Sequence, residues 1–278
     1  MAGAGSAAQL WQRLAGLEGR LQRLCRDGAP TDAFLIQAST ILENLKDLFQ
    51  EGRENVTLSS FLQLYTQAVL DITYFEENQL VDKDFPEVSS LQKVEELIDA
   101  LSEPELLVQG NSMSQEPLDV LGIELLECLY WRRGALLYMF CHTVKGRQEW
   151  LLEKSDLLKK FLHEGVQYLE KMLGFRGSLN PNELLFRDSD AARLLHEGVF
   201  SDTHLLAMMY SGEMCYWGLN NFAEEKQQRQ STDLHSEVLD FREIGKRMLQ
   251  TYVAVCEGPL RGHEWETQNA KLILNYFK

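Results

Sequence analysis

The residues that come nearest to catalytic chemistry are two repeats of Leu-His-Glu-Gly-Val, which carry His163-Glu164 and His196-Glu197. A helical zinc hydrolase needs a second histidine four positions after the first, so that both imidazoles meet one metal ion. The residues at those positions are Gln167 and Phe200, so neither string can supply the pair. Cys141-His142 has the composition of a nucleophile and its base, but adjacent helical residues point to different faces. Ser211-Gly212 lacks the glycine that a nucleophile elbow requires before the serine. No glycine-rich loop ends in Lys-Ser or Lys-Thr, and there is no dinucleotide fingerprint or kinase motif set. These observations imply a non-enzymatic chain with no catalytic, cofactor-binding or metal-binding residues.

Bulk properties narrow the class further. The chain has 278 residues, 45% of them hydrophobic, enough for a sizeable core. Lys and Arg number 27 against 42 Asp and Glu, a net charge of −15. Such a balance disfavours nucleic acid, where affinity comes from neutralising phosphates, and unaided docking to anionic lipid. The strongest apolar run, Ala135 to Cys141, falls far short of the roughly 18 residues that span a bilayer. No integral membrane segment and no secretory leader are expected. The five cysteines are scattered and odd in number, which reads as reduced thiols in a cytosolic protein.

The elements that would position any functional residue are helices. Leu10, Leu14, Leu17, Leu21 and Leu24 form one leucine stripe at alternating spacings of four and three. Thr31 is placed to cap a second helix bearing Phe34, Leu35, Ala38, Ile41, Leu42, Leu45 and Leu48. A third runs from about Thr57 and a fourth carries Leu91, Val94, Leu97, Ile98 and Leu101. Ser102 with Glu105 has the form of a capping box that starts a new helix, with Pro104 in its first turn. A long helix is expected from Pro117 onward, with Gly134 inside it admitting a close neighbour. Gly174 is placed to end the next helix in a left-handed conformation. A short helix over 189–197, a stronger one capped by Ser201, a polar insertion at 224–233 and two final helices complete the chain. No alternating strand pattern occurs. The expectation is an all-α fold, a multi-helix antiparallel bundle or an irregular α-solenoid of nine or ten helices. It divides into an N-terminal helical subdomain (1–108), a linker (109–116) and a C-terminal helical subdomain (117–278), or forms one continuous domain.

Candidate contact residues lie in three places. Trp131-Arg132-Arg133 is the clearest aromatic–basic cluster in an acidic chain, and such residues make good interface anchors. The competing reading buries Trp131 and pairs the arginines locally. Glu76, Glu77, Asp82, Asp84 and Glu87, with only Lys83 among them, either steer a basic partner or form a solvated face. Met208, Met209 and Met214 with Tyr210, Tyr216 and Trp217 form an adaptable groove or core packing.

Several strings also resemble a known family. They are Tyr74-Phe75-Glu76-Glu77, Arg132 to Tyr138, Leu205 to Trp217, Leu239 to Glu243 and Val255 to Leu260. In order and over nearly the whole chain they are similar to the vertebrate Rab-interacting subunit associated with the Mon–Ccz exchange complex. The resemblance implies an adaptor that binds a late-endosomal Rab GTPase, particularly its inactive form, and works with the Mon–Ccz guanine-nucleotide exchange complex. It further implies recruitment of that Rab to damaged mitochondria in mitophagy, with a cytosolic protein that visits mitochondria and late endosomes. The alternative is a structural scaffold of the exchange complex that does not itself read the Rab. The resemblance transfers no interface residues.

Overall fold

The three- and four-residue apolar spacing becomes helix wherever the chain is described. The computed structural model describes residues 4–26, 32–50, 57–111, 115–175, 202–222, 239–258 and 260–277. Among these residues it forms ten helices and no strand, as expected of an all-α fold. They are α1 (Ala4–Arg26), α2 (Ala33–Gln50), α3 (Leu58–Asp82), α4 (Ser90–Asn111), α5 (Pro117–Leu121), α6 (Ile123–Val144), α7 (Gln148–Gly174), α8 (Asp202–Phe222), α9 (Phe241–Glu257) and α10 (Gln268–Tyr276). The expected helix at 189–197, the cap Ser201, the polar insertion at 224–233 and the cap Thr31 lie outside the described residues.

Helix starts follow side-chain chemistry. The Thr57 hydroxyl accepts from the Ser60 amide at 3.1 Å and caps α3. Asp32 begins α2 by accepting from the Phe34 and Leu35 amides at 2.9 and 3.2 Å. Asp240 does the same for Arg242 and Glu243 at the start of α9. Each such cap satisfies amides that have no partner within the helix.

Three sequence expectations are corrected. Ser102 starts no helix: its hydroxyl donates back to the Ile98 carbonyl at 2.8 Å, and α4 continues through Pro104 to Asn111. The helix expected from Pro117 is broken at Gly122, whose φ of 82° suits a residue without a Cβ and separates α5 from α6. Gly174 is the last residue of α7, and the following Phe175 has φ −71°, a right-handed rather than a left-handed end.

The contacts divide the chain into two units, Met1–Leu129 and Tyr130–Lys278, with the division inside α6. Gln109, Gly110 and Asn111 belong to α4, and α5 packs on α3 and α4 in the first unit. There α3 is the hub, touching α1, α2, α4 and α5. It buries Phe61, Leu62, Tyr65, Val69 and Ile72, while α4 buries Val94, Leu97 and Leu101.

The second unit is organised around α8, which packs on α7, α9 and α10. Its helices meet through glycines. A Cβ on Gly134 of α6 would lie 2.5 Å from Leu169 of α7, and one on Gly165 of α7 would lie 2.3 Å from Met214 of α8. A Cβ on Gly212 would lie 2.3 Å from Leu249 of α9, and one on Gly245 would lie 2.7 Å from the Cys215 Cβ and from Phe277. The close neighbour expected at Gly134 is therefore α7. Gly245→Ala is expected to lower stability by about 1–3 kcal/mol through overpacking, although alanine is the better helix former. Gly16→Ala on α1, where a Cβ meets nothing within 4 Å, is expected to raise stability by up to about 1 kcal/mol. Urea unfolding midpoints of the two variants would check both signs.

Candidate partner-binding surfaces

In the second unit, Trp131, Tyr138 and His142 are seven and four residues apart and so share one side of α6, with Lys145 just beyond its end. They meet Tyr210, Glu213 and Trp217 of α8. The Tyr138 and Tyr210 rings stack nearly parallel, with centroids 3.7 Å apart. Trp131 stacks beyond Tyr210 at 5.8 Å and Trp217 beyond Tyr138 at 5.3 Å, which makes a four-ring column. Lys145 lies 4.9 Å from the centre of the Trp217 ring, a cation–π contact. The Tyr138 hydroxyl donates to Glu213 Oε2 at 2.6 Å, and the Asn269 amide of α10 donates to Oε1 of the same carboxylate. Glu213 thus ties three helices together beneath the rings. Trp131, Tyr138 and Tyr210 are half-buried, so the column both packs and shows an edge to solvent.

The two arginines beside Trp131 turn inward. Arg132 is 7% and Arg133 4% exposed. The Arg133 guanidinium lies 4.1 Å from the Tyr130 ring centre and 4.9 Å from that of Tyr168. The aromatic–basic cluster of the sequence therefore splits, with Trp131 toward the surface and both arginines in the interior. Of the methionines, Met208 and Met214 are buried and Met209 is half-buried.

The acidic string of the first unit splits as well. Glu76 is 3% exposed and accepts from Arg20 Nε at 2.6 Å and from Lys93 Nζ at 2.5 Å. Glu77 is also buried. Asp82 at the end of α3 and Asp84 and Glu87 on the turn after it are exposed. Asp84 and Phe85 both have φ of 49°, a left-handed conformation that is costly for residues with a Cβ. The buried Phe85 ring and the bond from its amide to the Leu80 carbonyl at 2.9 Å hold that turn.

Alpha-helices α1, α3 and α4 also enclose a cleft of about 820 Å³, whose lining includes Arg13, Arg20, Arg23, Glu76, Lys93 and Glu103. Arg13 pairs with Glu103 at 3.1 Å, and Tyr65 donates to the same carboxylate at 3.0 Å. Sequence reading missed this network. Its signal was the placing of Arg13 and Arg20 seven apart beside the leucine stripe.

Among the described residues three cysteines are buried, and the histidines singled out by sequence stand apart from them. Burial raises the pKa of Cys141 and of Cys215, and that of Cys256 to about 11, so these thiols are protonated at neutral pH. Cys141 is buried while His142 is exposed beside Trp217. His163 meets the Phe241 ring at 6.4 Å, and His196 lies outside the described residues. Among the described residues no three His, Cys, Asp or Glu side chains are grouped to hold a metal ion. No described helix is long and apolar enough to cross a membrane.

Residues 34–278 match the family described as RAB7A-interacting MON1-CCZ1 complex subunit 1. The chain belongs to that family. The family member of that name from Homo sapiens is 54% identical over 270 residues, covering 94% of this chain and 92% of the relative. The one from Mus musculus is 52% identical over 271 residues, with the same coverage. The one from Danio rerio is 47% identical over 270 residues, covering 97% of this chain and 96% of the relative. No solved structure matches the chain. The match to the RAB7A-interacting subunit family takes in both the α6–α8 aromatic column and the turn at Asp82–Glu87, and begins after α1.

Two measurements probe this geometry. Arg133→Glu places a carboxylate against two tyrosine faces, and is expected to cost about 3 kcal/mol or more in urea unfolding. Burial and the adjacent Glu213 carboxylate raise the pKa of the Tyr138 phenol, because both oppose the phenolate. A tyrosine raised in the folded state stabilises it below the unfolded pKa of about 10, and that contribution is lost as pH rises further. The urea midpoint is therefore expected to fall above about pH 10, and Tyr138→Phe to make that fall shallower.

Proposed function

We propose that this chain is a non-enzymatic adaptor that binds a late-endosomal Rab GTPase and the Mon–Ccz guanine-nucleotide exchange complex. In this reading it works from the cytosol to bring that Rab to damaged mitochondria during mitophagy, and visits late endosomes. The observation that carries the reading is family membership over residues 34–278, with relatives named as RAB7A-interacting subunits of the MON1-CCZ1 complex. The absence of a nucleotide loop or catalytic motif in the sequence supports an adaptor rather than an enzyme.

Preference for the inactive Rab requires contacts that differ between its two switch conformations. Trp131 and Tyr210, half-buried at the edge of the aromatic column, are our choice for an anchor of such contacts. The exposed Asp82 and Asp84 are the choice for steering a basic surface. Arg132, Arg133, Glu76 and Glu77 are assigned to support these surfaces from within.

The test is titration of the purified chain with the Rab in its GDP and GTP states, with and without Mon–Ccz, by calorimetry. Direct binding is expected, about tenfold tighter to the GDP form. Trp131→Ala is expected to weaken it while circular dichroism stays unchanged. Binding to Mon–Ccz without any direct binding to the Rab would replace the adaptor by a structural scaffold of the exchange complex.

A further inference from the structure

Helix α10 turns two neighbouring stripes in two directions. Ala270, Ile273 and, just past its end, Phe277 are buried and hold it on the second unit, with Phe277 packed at Gly245. Asn269, Leu272 and Tyr276, each one residue earlier, share the adjacent side and are exposed, Leu272 at 60% and Tyr276 at 43%. The Tyr276 ring meets Tyr216 of α8 edge-on at 5.1 Å. At the start of the stripe Asn269 donates to Glu213, the carboxylate that also takes the Tyr138 hydroxyl beneath the aromatic column. The exposed stripe therefore adjoins the column, and α6, α8 and α10 share one face. It carries Trp131, Tyr138, Tyr210 and Tyr216, all half-buried, and then Leu272 and Tyr276. A single exposed apolar residue is ordinary, but a run of Trp, Tyr and Leu joined by ring contacts has the composition of a binding face.

The polar groups of that face select the kind of partner. Among the described residues the hydroxyls of Tyr210, Tyr216 and Tyr276 bond to nothing, and each can donate. Lys145 lies over the Trp217 ring and makes no ion pair among the described residues. His142 is exposed beside the same ring. Glu213, the carboxylate of this group, is 8% exposed and already takes two donors. In a chain with 42 acidic against 27 basic residues, these residues offer donors and a positive charge but no free carboxylate. Such a surface attracts acceptors and carboxylates, the opposite of what the net charge of −15 recruits.

We infer that the face shared by α6, α8 and α10 binds an acidic peptide segment of a partner protein. The segment sets an aliphatic or aromatic side chain against Leu272, Tyr276 and Tyr216, and its carboxylates against Lys145 and the tyrosine hydroxyls. This assignment rests on the proposal that Trp131 and Tyr210 anchor a partner, and adds a second anchor on α10 and the chemistry of the segment they take.

The test is selection of a displayed library of random peptides on the full chain, followed by titration of the enriched peptides in fluorescent form, read by anisotropy. Enriched peptides are expected to carry an aliphatic or aromatic residue and an excess of Asp and Glu. Leu272→Asp and Lys145→Glu are each expected to weaken their binding at least about tenfold, with circular dichroism unchanged. Lys145→Arg is expected to retain binding, and added NaCl to weaken it. Enriched peptides that are basic or uncharged overturn the inference, as does a selection that enriches nothing. So do acidic peptides that bind both variants as tightly as the unmodified chain. Binding to anionic vesicles that is lost with Leu272→Asp overturns it too, because the face would then meet lipid. Peptide binding without calorimetric binding of the Rab or Mon–Ccz would keep this inference and remove the proposed function; the reverse pattern would do the opposite.

Discussion

The second unit depends on how closely its helices approach one another at glycines. Gly134, Gly165, Gly212 and Gly245 each sit where a Cβ would overlap a neighbouring helix. Glycine inside a helix costs about 0.5–1 kcal/mol against alanine. Four such positions therefore weaken the helices one by one, and close packing between them offsets the loss, since dispersion contacts fade over a gap of less than an ångström. On α6 and α8 the Tyr138 and Tyr210 rings stack at 3.7 Å, and Glu213 of α8 lies within reach of the Tyr138 hydroxyl.

The first unit is held in another way. Its hub α3 buries a conventional apolar face, but it also carries Glu76 and Glu77 inside. A buried carboxylate survives only with partners, and Glu76 has two cations from two different helices. The ion network therefore does work that apolar contact performs elsewhere: it sets where α1 and α4 stand relative to α3. One unit is specified by shape and the other partly by charge. Added salt is accordingly a lever on the first unit more than on the second.

Much of the helical layout was legible in the sequence because apolar periodicity reports the face a helix must bury. The leucine stripe of α1, the start of α3 near Thr57 and the tolerance of α6 for Gly134 could all be read directly. The misreadings share a cause. Ser102 resembles a cap, but its hydroxyl bonds backward to Ile98 instead; serine can do either, and tertiary packing chooses. Gly122 and Gly174 are the same residue type near a helix end, yet only Gly122 has a positive φ. A glycine permits that conformation without requiring it.

The candidate surfaces were legible as residue types but not as faces. Composition and spacing by themselves determined an acidic, all-helical chain without a recognisable reaction centre, and its word order pointed to the Rab-interacting subunit family. They could not say which charges face water. Within Trp131-Arg132-Arg133 and within Glu76 to Asp84 the structure sends neighbours in opposite directions, inward to partners and outward to solvent. The direction of a helical side chain is set by its angle around the axis relative to whatever packs there. The packing of α1 shows the same limit: its leucine stripe is written in the sequence, but Glu76 and Glu103, which pair with its arginines, come from two other helices. Only the fold brings them together, because charge complementarity between distant segments exists only once the chain has closed on itself.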